Sequence, residues 1–176
     1  MESDVNTLYT IGHSTRTIEE FLELLHAHSI QEVVDVRTIP KSKRNPQFGQ
    51  EKLSTALQEA GIAYTHLAKL GGLRHTTKES INTGWHNLSF RGYADYMATE
   101  PFQEGLHELE TLAQQKTVAI MCAEAVPWRC HRSLIADALT IQGWHVLDIQ
   151  SKQTAKPHTL TPFLEVEDGK LTYPAP

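Results

Sequence analysis

Val118-Ala119-Ile120-Met121-Cys122 is a run of five apolar residues with no polar position to turn toward water. A strand without alternation must be covered on both faces, as in a parallel sheet flanked by helices. Val33-Val34-Asp35-Val36 is a second, β-branched run of the same kind. Segments of helical period separate such runs. Thr17-Ile18-Glu19-Glu20 is a capping box, in which the Thr17 hydroxyl and Glu20 carboxylate each satisfy an orphan backbone N–H. Ile18, Phe21, Leu22 and Leu25 then recur at i, i+3, i+4 and i+7, and Leu53, Ala56, Leu57 and Ala60 form another stripe stopped by Gly61. Strand, helix, strand, helix predicts an α/β fold. It is read as a single three-layer domain, with a mostly parallel central sheet, helices on both faces and right-handed crossovers.

The remaining elements fit that frame. Leu8 to Ile11, ending at Gly12, reads as the first strand, and Ala63 to His66 as a short one. Residues 68–88 read as a long loop with a helical turn, and residues 90–98 as a helix. Pro101 suits the first turn of a further helix with Phe102, Leu106, Leu109 and Ala113 on one face. Ser133 to Gln142 is a helix stopped by Gly143, and His145 to Ile149 the last core strand. Asp168-Gly169 between Leu164-Glu165-Val166 and Leu171-Thr172-Tyr173 predicts a small hairpin. The 176 residues thus form one domain, with a core from about 8 to 150 and a C-terminal appendage from about 151 to 176.

Composition excludes several classes. Two cysteines, Cys122 and Cys130, cannot build a disulfide framework. The start MESDVNTLYTIG is polar, without a signal-peptide core, and no apolar run approaches the roughly 20 residues of a membrane span. The expected setting is cytoplasmic, with reduced thiols and no membrane partner. A net charge of -5 is unlike a general nucleic-acid binder. Yet residues 37–52 hold Arg37, Lys41, Lys43, Arg44 and Lys52 against Glu51 alone, which suggests a local contact with phosphate or nucleic acid, or else a solvated loop.

In open α/β sheets ligands bind beyond the carboxyl ends of the strands. Three polar segments leave such ends: Gly12-His13-Ser14, Arg37 to Pro46, and Cys122 to Arg132. In the last, a helix starts near Cys130-His131, where free N–H groups and the dipole favour a thiolate or an anion. Cys130 is read either as a reactive thiol or as helix packing. Cys122 is read first as a buried strand residue. Arg129 and Arg132 are anion holders or a solvated helix edge, and Glu124 is a general base or a surface carboxylate. His13 is a proton-transfer candidate beside Ser14, with Gly12 allowing close backbone approach to a ligand. Asp35 and Arg37 share a face and either pair or cooperate on an anion. Arg91 and Tyr93 are placed in the same cleft. Strand-Cys-loop-Arg resembles the oxyanion loop of cysteine-dependent phosphatases and sulfurtransferases, but six residues, not five, separate Cys122 from Arg129, and Pro127 removes one N–H donor. His13, Cys122, Cys130 and His131 could ligate zinc, but no close second pair exists, so no metal or cofactor is expected.

With these residues in place, the chain resembles the family called domain of unknown function 488. The matching pieces are Thr10-Ile11-Gly12-His13-Ser14, Asp35-Val36-Arg37 with Pro40 and Ser42, Asn45-Pro46 with Phe48, Leu70-Gly71-Gly72, Phe90-Arg91-Gly92-Tyr93, and Cys122-Ala123-Glu124 through Cys130-His131-Arg132. The resemblance implies an α/β fold and one shared site, and supplies no reaction.

The leading expectation is an enzyme, a hydrolase or transferase, acting on a phosphate-bearing small molecule, nucleotide or nucleic acid. Arg37, Arg129 and Arg132 would hold the anion, and Cys130 or His13 would do the chemistry with His131 and Glu124. One alternative is a non-catalytic nucleic-acid-binding module using Lys41, Lys43 and Arg44 with Trp85 and Tyr93 as stacking faces. Another is a thiol or metal sensor. The oligomeric state is not legible.

Overall fold

The computed structural model describes residues 6–176. Met1 to Val5, the start of the stretch read as lacking a signal-peptide core, lie outside them. In chain order come β1 (Thr7–Gly12), α1 (Ile18–Ala27), β2 (Glu32–Asp35), α2 (Gln50–Glu59), β3 (Ala63–His66), α3 (Leu88–Tyr96), α4 (Glu100–Gln115), β4 (Val118–Cys122), α5 (Arg132–Ile141) and β5 (His145–Ile149). Then follow β6 (Ala155–Pro157), β7 (Glu165–Glu167) and β8 (Lys170–Thr172). The main sheet has the order β3-β2-β4-β1-β5-β6, parallel except for β6, and β7 pairs with β8 in a separate hairpin.

The helices divide between the faces for a topological reason. The steps β1 to β2 and β2 to β3 run toward one edge of the sheet, and β3 to β4 and β4 to β5 run toward the other. With a single crossover hand, the two sets of connections must cover opposite faces. One core accordingly packs Phe21, Leu24 and Leu25 of α1 and Leu53 and Leu57 of α2 against Ile11, Val33, Ala119 and Met121. The other packs α3, α4 and α5 against Leu8, Val34, Val118 and Ile120. The five residues of β4 alternate between these two cores and are all buried, which is why the run carries no polar position. Neighbouring strands β1 and β4 send their connections to opposite faces, and a crevice opens beyond their carboxyl ends.

Local chemistry sets the boundaries. The Thr17–Glu20 capping box forms as expected. Leu24 is buried on α1, while Leu22 lies at the edge of the stripe and is only partly covered. Asn87 caps α3 through the N–H groups of Ser89 and Phe90, so the helix begins at Leu88 rather than 90. Thr99 caps α4, with Pro101 in its first turn.

The chain beyond residue 150 is more than an appendage. β6 extends the main sheet at its edge, where Pro157 is tolerated. Tyr173 is fully buried, and its hydroxyl donates to Asp137 Oδ2 at 2.9 Å. Among the described residues no helix is long and apolar enough to cross a membrane.

Candidate functional site

Cys122 ends β4, and its side chain faces the α5 side of the sheet. The connection that follows has one short helical turn, Pro127–Arg129, before α5. Arg132, in the first turn of α5, is almost fully buried and points back at the strand ends. Its Nη1 donates to Cys122 Sγ at 2.7 Å and to the carbonyl of Glu124. Nη2 donates to the carbonyl of Ala125 at 3.1 Å, and Nε to Thr10 Oγ1 at 3.3 Å. Thr10 Oγ1 in turn donates to Asp148 Oδ1 at 2.5 Å. A planar fork of donors thus pins the loop to the sheet. Peptide units are planar and trans, so fixing the carbonyls of Glu124 and Ala125 toward Arg132 turns the N–H groups of Ala125 and Val126 the opposite way.

The second thiol lies against the first. Cys130 precedes α5, and its Sγ accepts the Arg132 backbone N–H at 3.4 Å. The two sulfurs are close enough to shift each other's ionisation. Burial alone would raise the Cys122 thiol. The neighbouring Cys130 thiol, the charge of Arg132 and its hydrogen bond outweigh burial, bringing Cys122 down to about 7. Cys130 is pushed up by burial and by its neighbour's negative charge. The sequence left Cys130 open between a reactive thiol and helix packing and read Cys122 first as core; the contacts here favour a thiolate at Cys122. The helix start does meet Cys130, but the guanidinium reaches Cys122.

His131 Nε2 lies 2.8 Å from the carbonyl of Val36, and Nδ1 lies 3.6 Å from Cys130 Sγ. Burial holds this imidazole down to about 4, so it is neutral. The nitrogen facing the carbonyl must carry the proton, which leaves Nδ1 to accept from the Cys130 thiol. The ring packs on Tyr93, whose hydroxyl donates to the carbonyl of Leu70.

These groups border a hollow of about 250 Å³, lined among others by Arg37, Cys122, Glu124, Arg129, Cys130 and His131. Tyr93 also lines it, as do Gly72, Leu73, Ser89 and Phe90. Arg129 and Glu124 are exposed at its rim. Arg37 is buried. Its Nε donates to Asp35 Oδ1 at 2.9 Å and its Nη2 to Oδ2 at 2.7 Å, so the pair foreseen from the sequence forms. Tyr64 also donates to Asp35, at 2.6 Å. Arg37 Nη1 has no protein partner.

His13 follows β1 and, like Ser14, does not line that hollow. Its backbone N–H donates to the carbonyl of Cys122 at 2.9 Å, and that of Ser14 to Ala123. The ring stacks on Phe48. Burial, with the charges of Arg37 and Arg16, lowers its pKa. In the neutral ring Nδ1–H donates to the carbonyl of Ser14 at 2.8 Å, so the buried Nε2, which has no protein partner, is an acceptor. Ser14 holds a left-handed conformation with φ 52°.

Other expected site residues lie elsewhere or do other work. Arg44 is exposed on the basic loop and does not border the hollow. Arg91 donates to the carbonyl of Trp85 and fastens the 68–87 loop. Trp85 packs between Phe90, Phe163 and Tyr173, and Tyr93 is buried, so neither offers a free face for a base. Gly12 does permit close approach, but of protein. A Cβ there would sit 1.8 Å from the carbonyl oxygen of Glu124. Sequence reasoning missed Thr10, Arg16 and the Gly72–Leu73 wall. Only the Leu70-Gly71-Gly72 motif pointed toward that wall. Among the described residues, no group of three or more His, Cys, Asp or Glu side chains is placed to hold a metal ion.

A doubly wound α/β domain with a thiol–guanidinium pair at its switch point is the class of protein that the fold and the site define. A family model described as "Domain of unknown function DUF488" matches residues 17–139, and the chain belongs to that family. The match spans Asp35-Val36-Arg37 and Cys122 through Arg132, while His13 and Ser14 precede it. No curated protein and no solved structure gives a significant match.

Proposed function

We propose that this protein is a thiol-dependent enzyme, a hydrolase or transferase, that binds a small phosphate-bearing group in the hollow and attacks it with Cys122. The observation that carries this reading is the 2.7 Å bond from Arg132 to Cys122 Sγ, which favours a thiolate near neutral pH at the mouth of a cavity. The same guanidinium also anchors the loop, so the cation beside the sulfur is held in a fixed position.

The rest of the hollow suits an anion. Arg37 Nη1 is a charged donor with its other contacts fixed by Asp35, and Arg129 adds a second charge at the rim. The volume of about 250 Å³ is below that of a drug-sized pocket, so a small molecule, or one projecting group of a larger one, is what fits. In the reaction the Cys122 thiolate forms a bond to the electrophilic centre as the bond to the leaving oxygen breaks. Water or an acceptor then releases the group from sulfur. Glu124, exposed at the rim of the hollow, is the carboxylate available to take the proton of that second nucleophile.

Alkylation rates of each cysteine across pH, read by peptide mapping, test the proposal. Cys122 should titrate near 7 and be slowed by inorganic phosphate. An ordinary thiol titration at Cys122, with no protection by phosphate, would remove it.

A further inference from the structure

We propose that Cys122 and Cys130 are a reversible dithiol–disulfide couple, in which Cys122 is a site of oxidation by hydroperoxides and Cys130 resolves the product. One residue holds both sulfurs. Arg132 Nη1 is 2.7 Å from Cys122 Sγ, and the Arg132 backbone nitrogen is 3.4 Å from Cys130 Sγ. The two sulfurs also lie close enough to shift each other's ionisation. Both line the hollow, so a molecule as small as a peroxide reaches them together.

The division of labour follows from the surroundings. Attack on a peroxide needs a thiolate and a cationic donor beside it, and Cys122 has both. Resolution needs a second thiol in contact and a base to take its proton, and His131 Nδ1 lies 3.6 Å from Cys130 Sγ. Cys130 lies between the Pro127–Arg129 turn and α5 in an extended conformation, φ -132° and ψ 145°. Ala123, Glu124, Ala125, Trp128 and Arg129 of the intervening loop are exposed, so drawing the sulfurs together does not breach the core.

In the first step the Cys122 thiolate attacks one peroxide oxygen. The S–O bond forms, the O–O bond breaks, and the departing alkoxide or hydroxide takes a proton from solvent. In the second step Cys130 loses its proton and attacks Cys122 Sγ. The S–S bond forms, the S–O bond breaks, and the hydroxyl leaves with a proton as water. Two thiols and one hydroperoxide give a disulfide, an alcohol (or water) and water, with two electrons passing from sulfur to oxygen. A low-molecular-weight dithiol reverses the change by exchange. In the oxidised form Cys122 carries no thiolate, so the same event silences any chemistry at that sulfur.

The test treats the reduced full chain with stoichiometric hydrogen peroxide, blocks remaining thiols and maps the peptides by mass. The expected product is a Cys122–Cys130 disulfide that dithiothreitol reverses. In C130S the reaction should stop at a sulfenic acid on Cys122, trapped by dimedone. In C122S, Cys130 should oxidise at least about tenfold more slowly than Cys122 does in the unaltered chain. Cys122 passing to sulfinic acid while Cys130 stays free would overturn the proposal, as would no disulfide in the unaltered chain. That mapping requires no variant to fold, and it is independent of whether any phosphate-bearing substrate binds.

Discussion

Arg132 and Cys122 stand ten positions apart, yet the guanidinium of one lies 2.7 Å from the sulfur of the other. The same side chain fixes the carbonyls of Glu124 and Ala125 and reaches Thr10 on the neighbouring strand. Replacing it therefore acts on charge and structure together. Arg132→Met should raise the Cys122 thiol above its present value near 7 and should cost about 3 kcal/mol of stability, because buried carbonyls lose a charged donor. Arg132→Lys keeps the charge but not the fork. It should recover part of the thiol shift and little of the stability. Urea unfolding and alkylation across pH separate the two effects. A Met variant with an unchanged thiol titration would show that Arg132 does not set the Cys122 pKa.

The buried imidazoles make the fold acid-sensitive. His131 charges at 6.5 in an ordinary setting and at about 4 in the fold, so below 6.5 the unfolded chain takes up the proton first. Stability should fall as pH drops from 6.5 to 4, by at most about 3 kcal/mol, and the loss from this group should level off below that. His13 acts in the same direction. Cys122 adds the opposite limb. Its lowered thiol contributes stability that grows between 7 and 9 and is lost as pH falls through 7. Cys130, with its raised pKa, opposes stability only above 9. Urea unfolding at a series of pH values should show both slopes. His131→Gln, which keeps a donor for the Val36 carbonyl but cannot charge, should flatten the acid one.

What the sequence disclosed was local. Val118 to Cys122 announces a strand covered on both sides because burial is written into five consecutive residues. The Thr17–Glu20 box and the Asp35–Arg37 pair span three and two positions, so their partners were within reach of pattern reading. The site was harder. That Arg132 turns toward Thr10 and Cys122 depends on how α5 docks on β1 and β4, which no local pattern records. Which of two cysteines keeps its proton depends on the sum of burial and nearby charge, a property of the folded site. Gly12 was legible as a point of close approach, but the approaching group comes from more than a hundred residues away.

Gly12 gives a sharp steric prediction. A Cβ at this position would lie 1.8 Å from the Glu124 oxygen and 2.8 Å from Ala125 Cα, both backbone atoms. No rotamer change relieves that clash, so the loop that carries the Arg132 acceptors must move. Gly12→Ala should cost about 3 kcal/mol and return the Cys122 thiol toward its ordinary range. Gly61→Ala is the control. Gly61 has φ +80° and nothing near its Cβ position, so the strain there should cost about 1 kcal/mol and leave the thiol unchanged. Equal thiol titrations in the two variants would mean that the Gly12 contact does not support the site.

The C-terminal segment should prove necessary for the fold, because it satisfies a charge buried in α5. Asp137 is fully buried and accepts from His158 Nε2 at 2.7 Å, Thr161 Oγ1 at 2.7 Å and the Tyr173 hydroxyl at 2.9 Å. All three donors come from beyond residue 150. A chain ending at 150 would leave that carboxylate without these donors and expose the core that Tyr173 covers, so it should fail to give a cooperative unfolding transition. Smaller changes grade the effect. Tyr173→Phe removes one bond to a charged acceptor and should cost about 2 kcal/mol, whereas Tyr173→Ala also opens a cavity and should cost about 4 kcal/mol. A truncated chain that melts like the full one would show that these contacts contribute nothing to stability, and that the core is complete without them.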